Sequence, residues 1–167
     1  ISNAYLFELA NQVANKELYQ TLLTYKNSAQ GTIALDFPIT YEVDGKTINT
    51  SLHEIKGSEH YLLIFWSSTC SHCLKELPIL KTYLDEHPKN LKVIAFCIED
   101  DKKHWEKTMS QFPNFIHVLG LERWNNPITV AYGINSTPSY FMLDTDKKIL
   151  GKPNDIEALK NALEDLK

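Results

Sequence analysis

Long apolar runs are missing from this chain. No stretch approaches the roughly 20 residues that span a bilayer, so no membrane-crossing helix is expected within it. A basic patch is missing too. The net charge is -4 and Lys and Arg nowhere cluster, which argues against a nucleic-acid surface and leaves nucleic acid out of the expected partners. Cysteine is scarce, and three in 167 residues are too few for a disulfide scaffold. No internal repeat or low-complexity tract occurs, and 43% hydrophobic with 23% charged residues excludes a disordered or fibrous chain. The sequence begins at Ile1 without a methionine, a charged n-region or a signal h-region. It therefore reads as a processed or trimmed product, with any exporting or anchoring segment, a membrane tether included, lying outside it.

What is present suits one domain with an appendage. Apolar residues at Leu6, Leu9, Val13, Leu18, Leu22 and Tyr25 approximate helical spacing, so residues 1–30 read as an N-terminal helical segment and 31–167 as the main domain. Two strand candidates, Ile33 to Tyr41 and Lys46 to Asn49, flank Asp44-Gly45, a strong hairpin signal. A helical turn is expected near Leu52 to Ile55, followed by a central strand from Tyr61 to Trp66.

Strands and helices then alternate. A helix runs from the cysteine pair to about Glu86, with Pro78 expected to kink it, and Leu91 to Ile98 reads as the next strand. A helix from about Asp101 to Gln111 and a short strand near Phe115 to Leu119 follow. Asn126-Pro127 is a helix start, cap then proline. Ser139 to Asp144 and Lys148 to Leu150 read as an antiparallel pair, and Asp155 to Leu166 as a closing helix. The expected class is α/β: a central mixed sheet flanked by helices, preceded by a β-hairpin and the extra helical segment.

The chemistry sits in Trp66-Ser67-Ser68-Thr69-Cys70-Ser71-His72-Cys73. A buried strand delivers two cysteines, two residues apart, to the first turn of a helix. Unpaired backbone N–H groups at that end favour a thiolate on the first cysteine. One sulfur then becomes a nucleophile and the other its resolving partner. Zinc would want a second close pair of ligands, whereas Cys97, His104 and His117 are scattered, so no metal site is assigned. Cys70, at the exposed helix start, is the expected attacking sulfur, and Cys73, one turn in, the resolving one. No cofactor beyond a redox-active Cys70–Cys73 disulfide is called for. His72, between the two, is the candidate to stabilise the thiolate as an imidazolium. Cys97, in an apolar run, reads as a small buried hydrophobe.

With Phe65-Trp66, the Cys70/Cys73 pair and Ser136-Thr137-Pro138-Ser139-Tyr140-Phe141, the chain resembles the thioredoxin superfamily. More narrowly it is similar to the exported, often membrane-tethered TlpA/ResA-type branch, which Ala34-Leu35-Asp36-Phe37 and Asp44-Gly45-Lys46 also match. The resemblance covers about Gly31 to the C-terminus and implies a thioredoxin-like fold. It implies a thiol–disulfide oxidoreductase acting on protein substrates outside the cytoplasm, in a bacterial periplasm or facing it, re-reduced by a separate redox protein. Reductase is the leading direction; an oxidase or isomerase of the same fold is the alternative, and a copper carrier or a peroxidase would be different classes.

The resemblance further implies that Thr137-Pro138 is the cis-proline loop, where Thr137 backbone groups pair with an extended substrate, and that Trp66 belongs to the substrate-binding surface. Glu76 matches a carboxylate that the branch places near the cysteines for proton transfer. Ile64 stands where thioredoxin has a buried Asp, so that proton route is missing. Thr69 replaces an aromatic residue that often precedes the first cysteine. Glu99, Asp100 and Asp101 read as an acidic helix start rather than a cation site.

Overall fold

The computed structural model describes residues 16–166. The helical reading of residues 3–15 lies outside them. Helix α1, Lys16–Ser28, is followed by a hairpin of β1, Pro38–Val43, and β2, Lys46–Ser51. Asp44 and Gly45 both have positive φ, 49° and 73°, the backbone that a two-residue hairpin turn demands. The first strand starts later than its apolar residues suggest. Asp36 accepts hydrogen bonds from the backbone N–H groups of Phe37 and His53, and Ile33 instead bridges Lys148 at the far sheet edge. Leu52 to Ile55 makes the single helical turn expected there, with the N–H groups of Glu54 and Ile55 donating to the Ser51 carbonyl.

The central strand β3, His60–Trp66, leads into α2, Ser71–Glu86, which continues on both sides of Pro78. Then come β4, Leu91–Ile98, α3, Lys102–Met109, and β5, Ile116–Gly120. A short 3-10 turn precedes α4, Pro127–Ala131, where Asn126 accepts from the N–H groups of Ile128 and Thr129 as a cap. Strands β6, Ser139–Leu143, and β7, Ile149–Gly151, and helix α5, Ile156–Glu164, complete the order.

The sheet order is β5-β4-β3-β6-β7, with β3, β4 and β5 parallel and β6 and β7 each antiparallel to its neighbour. Both faces of β3 are buried, and strand alternation divides them. Leu62, Ile64 and Trp66 join Cys73, Leu77, Leu80, Leu159 and Leu163 under α2 and α5. Tyr61, Leu63 and Phe65 join Phe37, Ile39, Leu52 and Tyr132 on the other face. Three parallel strands therefore end at one edge, and the cysteine loop leaves from the middle one. Helix α1 is tied to the main body by Thr24 and Asn27, which donate to the Val130 and Ala131 carbonyls of α4 at 3.4 Å.

Space at the end of β5 is tight. A Cβ at Gly120 would stand 2.2 Å from Phe96 Cε1, in a ring wedged against Phe37 and Phe65, whereas one at Gly151 would meet nothing within 4 Å. Gly120→Ala is expected to lower stability by about 1–3 kcal/mol through overpacking, and Gly151→Ala by under about 0.5 kcal/mol. Urea unfolding midpoints of the two variants check the difference, and equal midpoints contradict it.

Candidate active site

Cys70 is the cap residue of α2, with extended backbone (φ -85°, ψ 118°), and its sulfur accepts from the Cys73 N–H at 3.4 Å. The Cys70 N–H in turn donates to the Ser67 carbonyl at 3.1 Å, which closes the loop between strand and helix. Cys70 is half-buried and Cys73 fully buried, and both are free thiols in this structure. Their environments push them in opposite directions. Burial alone would push the Cys70 thiol up. The Thr137 side chain, Cys73, and the backbone N–H groups of Cys73 and His72 outweigh it, and Cys70 is held below its ordinary value. For Cys73, burial dominates, the neighbouring Cys70 adds to it, and the thiol is pushed up to about 12.

His72 acts here through its backbone. Its imidazole is exposed and makes no hydrogen bond or ion pair, so the expected imidazolium partner of Cys70 is replaced by the His72 peptide N–H. The reason is direction: at this point of α2 the N–H groups converge on the cap while the side chain turns outward. Trp66 also requires a correction. It is 0% exposed, beneath the sheet and edge-on to Phe112, and offers no surface to a substrate. As the last residue of β3 it alternates with Phe65 into the core that Cys73 shares.

The Thr137–Pro138 peptide is cis, and the half-buried loop meets Cys70 there, whose thiol donates to the Thr137 carbonyl at 3.4 Å. Glu76, half-buried one turn beyond Cys73, accepts a 2.7 Å hydrogen bond from the phenol of Tyr140. Sequence reasoning quoted Tyr140 only as part of a motif. Its signal was position: two residues after Pro138, on the inward face of β6.

A second polar group lies behind the loop. Glu99, 2% exposed, accepts from the Ser68 hydroxyl and, at 3.5 Å, from that of Ser67. Since Ser68 donates to Glu99, His104 Nδ1, 2.8 Å from the same oxygen, is its donor. Burial pushes the Glu99 carboxyl up, but the Ser68 hydroxyl, the N–H groups of Asp100 and Asp101 and the Arg123 charge outweigh it and hold it below the usual range. Of the acidic run, only Asp101 caps α3, accepting from Lys103 and His104, while Asp100 lies 3.8 Å from Arg123. Nothing local in the sequence marks Glu99 as the buried member. Cys97 is fully buried, and desolvation raises its thiol further than Cys73. Trp105 is core, whereas Trp124 is 43% exposed. Among the described residues no three His, Cys, Asp or Glu side chains gather as a metal site would require.

A mixed sheet whose middle strand delivers two cysteines to a helix start, faced by a cis-proline loop, defines a thioredoxin-like thiol–disulfide oxidoreductase. The sequence pattern of the Redoxin family matches residues 29–166, and the chain belongs to that family, on its TlpA/ResA-like side. Helix α1, which ends at Ser28, lies outside the match. The thiol-disulfide oxidoreductase ResA of Bacillus thuringiensis is 29% identical over 140 residues, 80% of this chain and 75% of the relative. ResA of Geobacillus thermodenitrificans is 25% identical over 155 residues, 90% and 86% of the two chains. A solved thiol:disulfide interchange protein from Bacteroides sp. superposes with TM-score 0.67 at 25% identity, covering 84% of this chain and 91% of its own. The C-terminal domain of a thiol-disulfide oxidoreductase from Bacteroides thetaiotaomicron shares the fold, with TM-score 0.69 at 24% identity over 84% and 97%.

The split between the two thiols is measurable. Iodoacetamide should alkylate Cys70 with a midpoint below 9.0, the ordinary value, while Cys73 resists until the pH nears about 12. Equal rates at both cysteines in mildly alkaline buffer would contradict the asymmetry.

Proposed function

We propose that this protein reduces disulfides of protein substrates in an extracytoplasmic compartment, with Cys70 attacking and Cys73 resolving. The observation that carries the reading is the opposed ionisation of the two thiols at the start of α2. The Cys70 thiolate attacks one sulfur of a substrate disulfide. That S–S bond breaks, the Cys70–substrate bond forms, and the departing sulfur leaves as a thiol after taking a proton. Cys73 then gives its proton to the Glu76 carboxylate and attacks Cys70 Sγ. The Cys70–substrate bond breaks, the second substrate sulfur leaves as a thiolate and takes a proton from solvent, and a Cys70–Cys73 disulfide holds the oxidation. A dithiol of a partner redox protein must return the two electrons.

The reduced state supports that direction. A strong oxidant stabilises its reduced form through a deeply acidic thiolate. Here the second thiol resists ionisation outright, and the stabilisation of the first is the balance left after its own desolvation. Thr137 and the cis Pro138 sit against Cys70, which suits pairing of an extended substrate segment with the Thr137 backbone. The compartment is that of the TlpA/ResA-type branch the chain resembles.

Cys70→Ser is expected to abolish disulfide exchange, and Cys73→Ser to trap a mixed disulfide visible by mass spectrometry. Turnover retained in the Cys70 variant would sink the assignment. The reduction potential of the pair should lie near or below about -270 mV, and a value near about -120 mV would instead make it an oxidase.

A further inference from the structure

We infer that Tyr140 is a positioning residue for the proton transfer, holding the Glu76 carboxylate so that it can accept the Cys73 proton. The inference rests on the reading of Glu76 as that acceptor. Tyr140 is 2% exposed and donates to Glu76 Oε2 at 2.7 Å, a well-formed O–H···O hydrogen bond. It pairs with Ile64 across the β3–β6 ladder and lies in the same buried cluster as Cys73. The side chains that β3 turns toward Cys73 are Leu62, Ile64 and Trp66, so the central strand brings no carboxylate to that sulfur. The hydroxyl that meets Glu76 on this side of the core comes from β6.

The chemistry of the two partners fits the task. Burial, the Glu76 carboxylate and nearby Cys73 and Asp155 hold the phenol far above its ordinary value, so Tyr140 remains a donor across the working range. A carboxylate has two oxygens. With Oε2 engaged by the phenol, Oε1 is left to receive a proton, and the hydrogen bond to Oε2 survives in both protonation states. The acceptor therefore need not swing away when it is charged or neutral. The charged and titratable groups that act on the phenol are Glu76 and Cys73 on α2 and Asp155 at the start of α5.

Reaction of the reduced protein with the aromatic disulfide DTNB separates the steps. Attack by Cys70 releases one coloured thiolate, and resolution by Cys73, whose proton passes to Glu76, releases the second. Tyr140→Phe should leave the first phase within about twofold, which also reports an intact fold, and slow the second about tenfold near neutral pH. The defect should shrink as the pH rises and hydroxide takes over from the carboxylate. Glu76→Gln should slow the second phase by about a hundredfold, and Tyr140→Phe added to it should cost nothing further. Glu76→Asp, which keeps the charge but draws the carboxylate back from the phenol, should slow the second phase as well. If Glu76→Gln slows resolution but Tyr140→Phe and Glu76→Asp do not, the inference fails while the acceptor reading stands. If Glu76→Gln leaves the second phase unchanged, both fail. Fully additive losses in the double variant would also overturn the coupling.

Discussion

A helix cannot satisfy its own first N–H groups, and the centre of this structure depends on what meets them at the start of α2. The residue there is Cys70, and its sulfur takes the place of the oxygen that Ser, Asp or Asn would offer as a cap. Asp101, Asn126 and Asp155 cap their helices in that ordinary way. At α2 the cap is also the nucleophile. The helix therefore stabilises its own reactive anion, and the backbone N–H of His72 contributes where an imidazolium was expected. An exposed ring charge would be screened by water and salt, whereas a peptide N–H on a half-buried sulfur is not.

The sheet makes that cap possible. Because β3 is the middle strand and is covered on both faces, it can end abruptly at Trp66 and still be held rigidly. The loop beyond it is then fixed from behind by Ser67 and Ser68, whose hydroxyls both reach Glu99 at the end of β4. A buried carboxylate is expensive to desolvate unless its lone pairs are met. The two hydroxyls and the Asp100 N–H meet them, and the same bonds pin the segment that places Cys70.

Legibility followed sequence distance. The β-hairpin, the cysteine helix and the capped α4 were readable because Asp44-Gly45, Cys70 with its amphipathic follower, and Asn126-Pro127 each act within a few residues. The start of β1 was misjudged because an apolar residue such as Ile33 looks the same whether it lies in a strand or bridges a distant edge. Trp66 was assigned to the surface by resemblance, and a strand buried on both faces has no polar side that would have shown its last residue turning inward. Tyr140 with Glu76, 64 residues apart, and Ser68 with Glu99, 31 apart, leave no periodic trace at all. They exist only once β6 and β4 are laid beside β3.

The order of the two thiol steps is built into the same electrostatics. Apart from burial, much of what opposes ionisation of Cys73 comes from Cys70, through its hydrogen bond and its negative charge. While Cys70 is a thiolate, a second anion beside it is disfavoured, so the resting protein carries a single nucleophile. Once Cys70 is bonded to a substrate sulfur its charge is gone, and that part of the opposition disappears with it. Cys73 becomes easier to deprotonate when its own attack is required. Glu99 applies the same rule to the third thiol, since its buried charge helps hold Cys97 neutral. One carboxylate thus anchors the loop and helps hold a neighbouring sulfur neutral, while another, one helical turn beyond Cys73, is held through one of its oxygens by Tyr140.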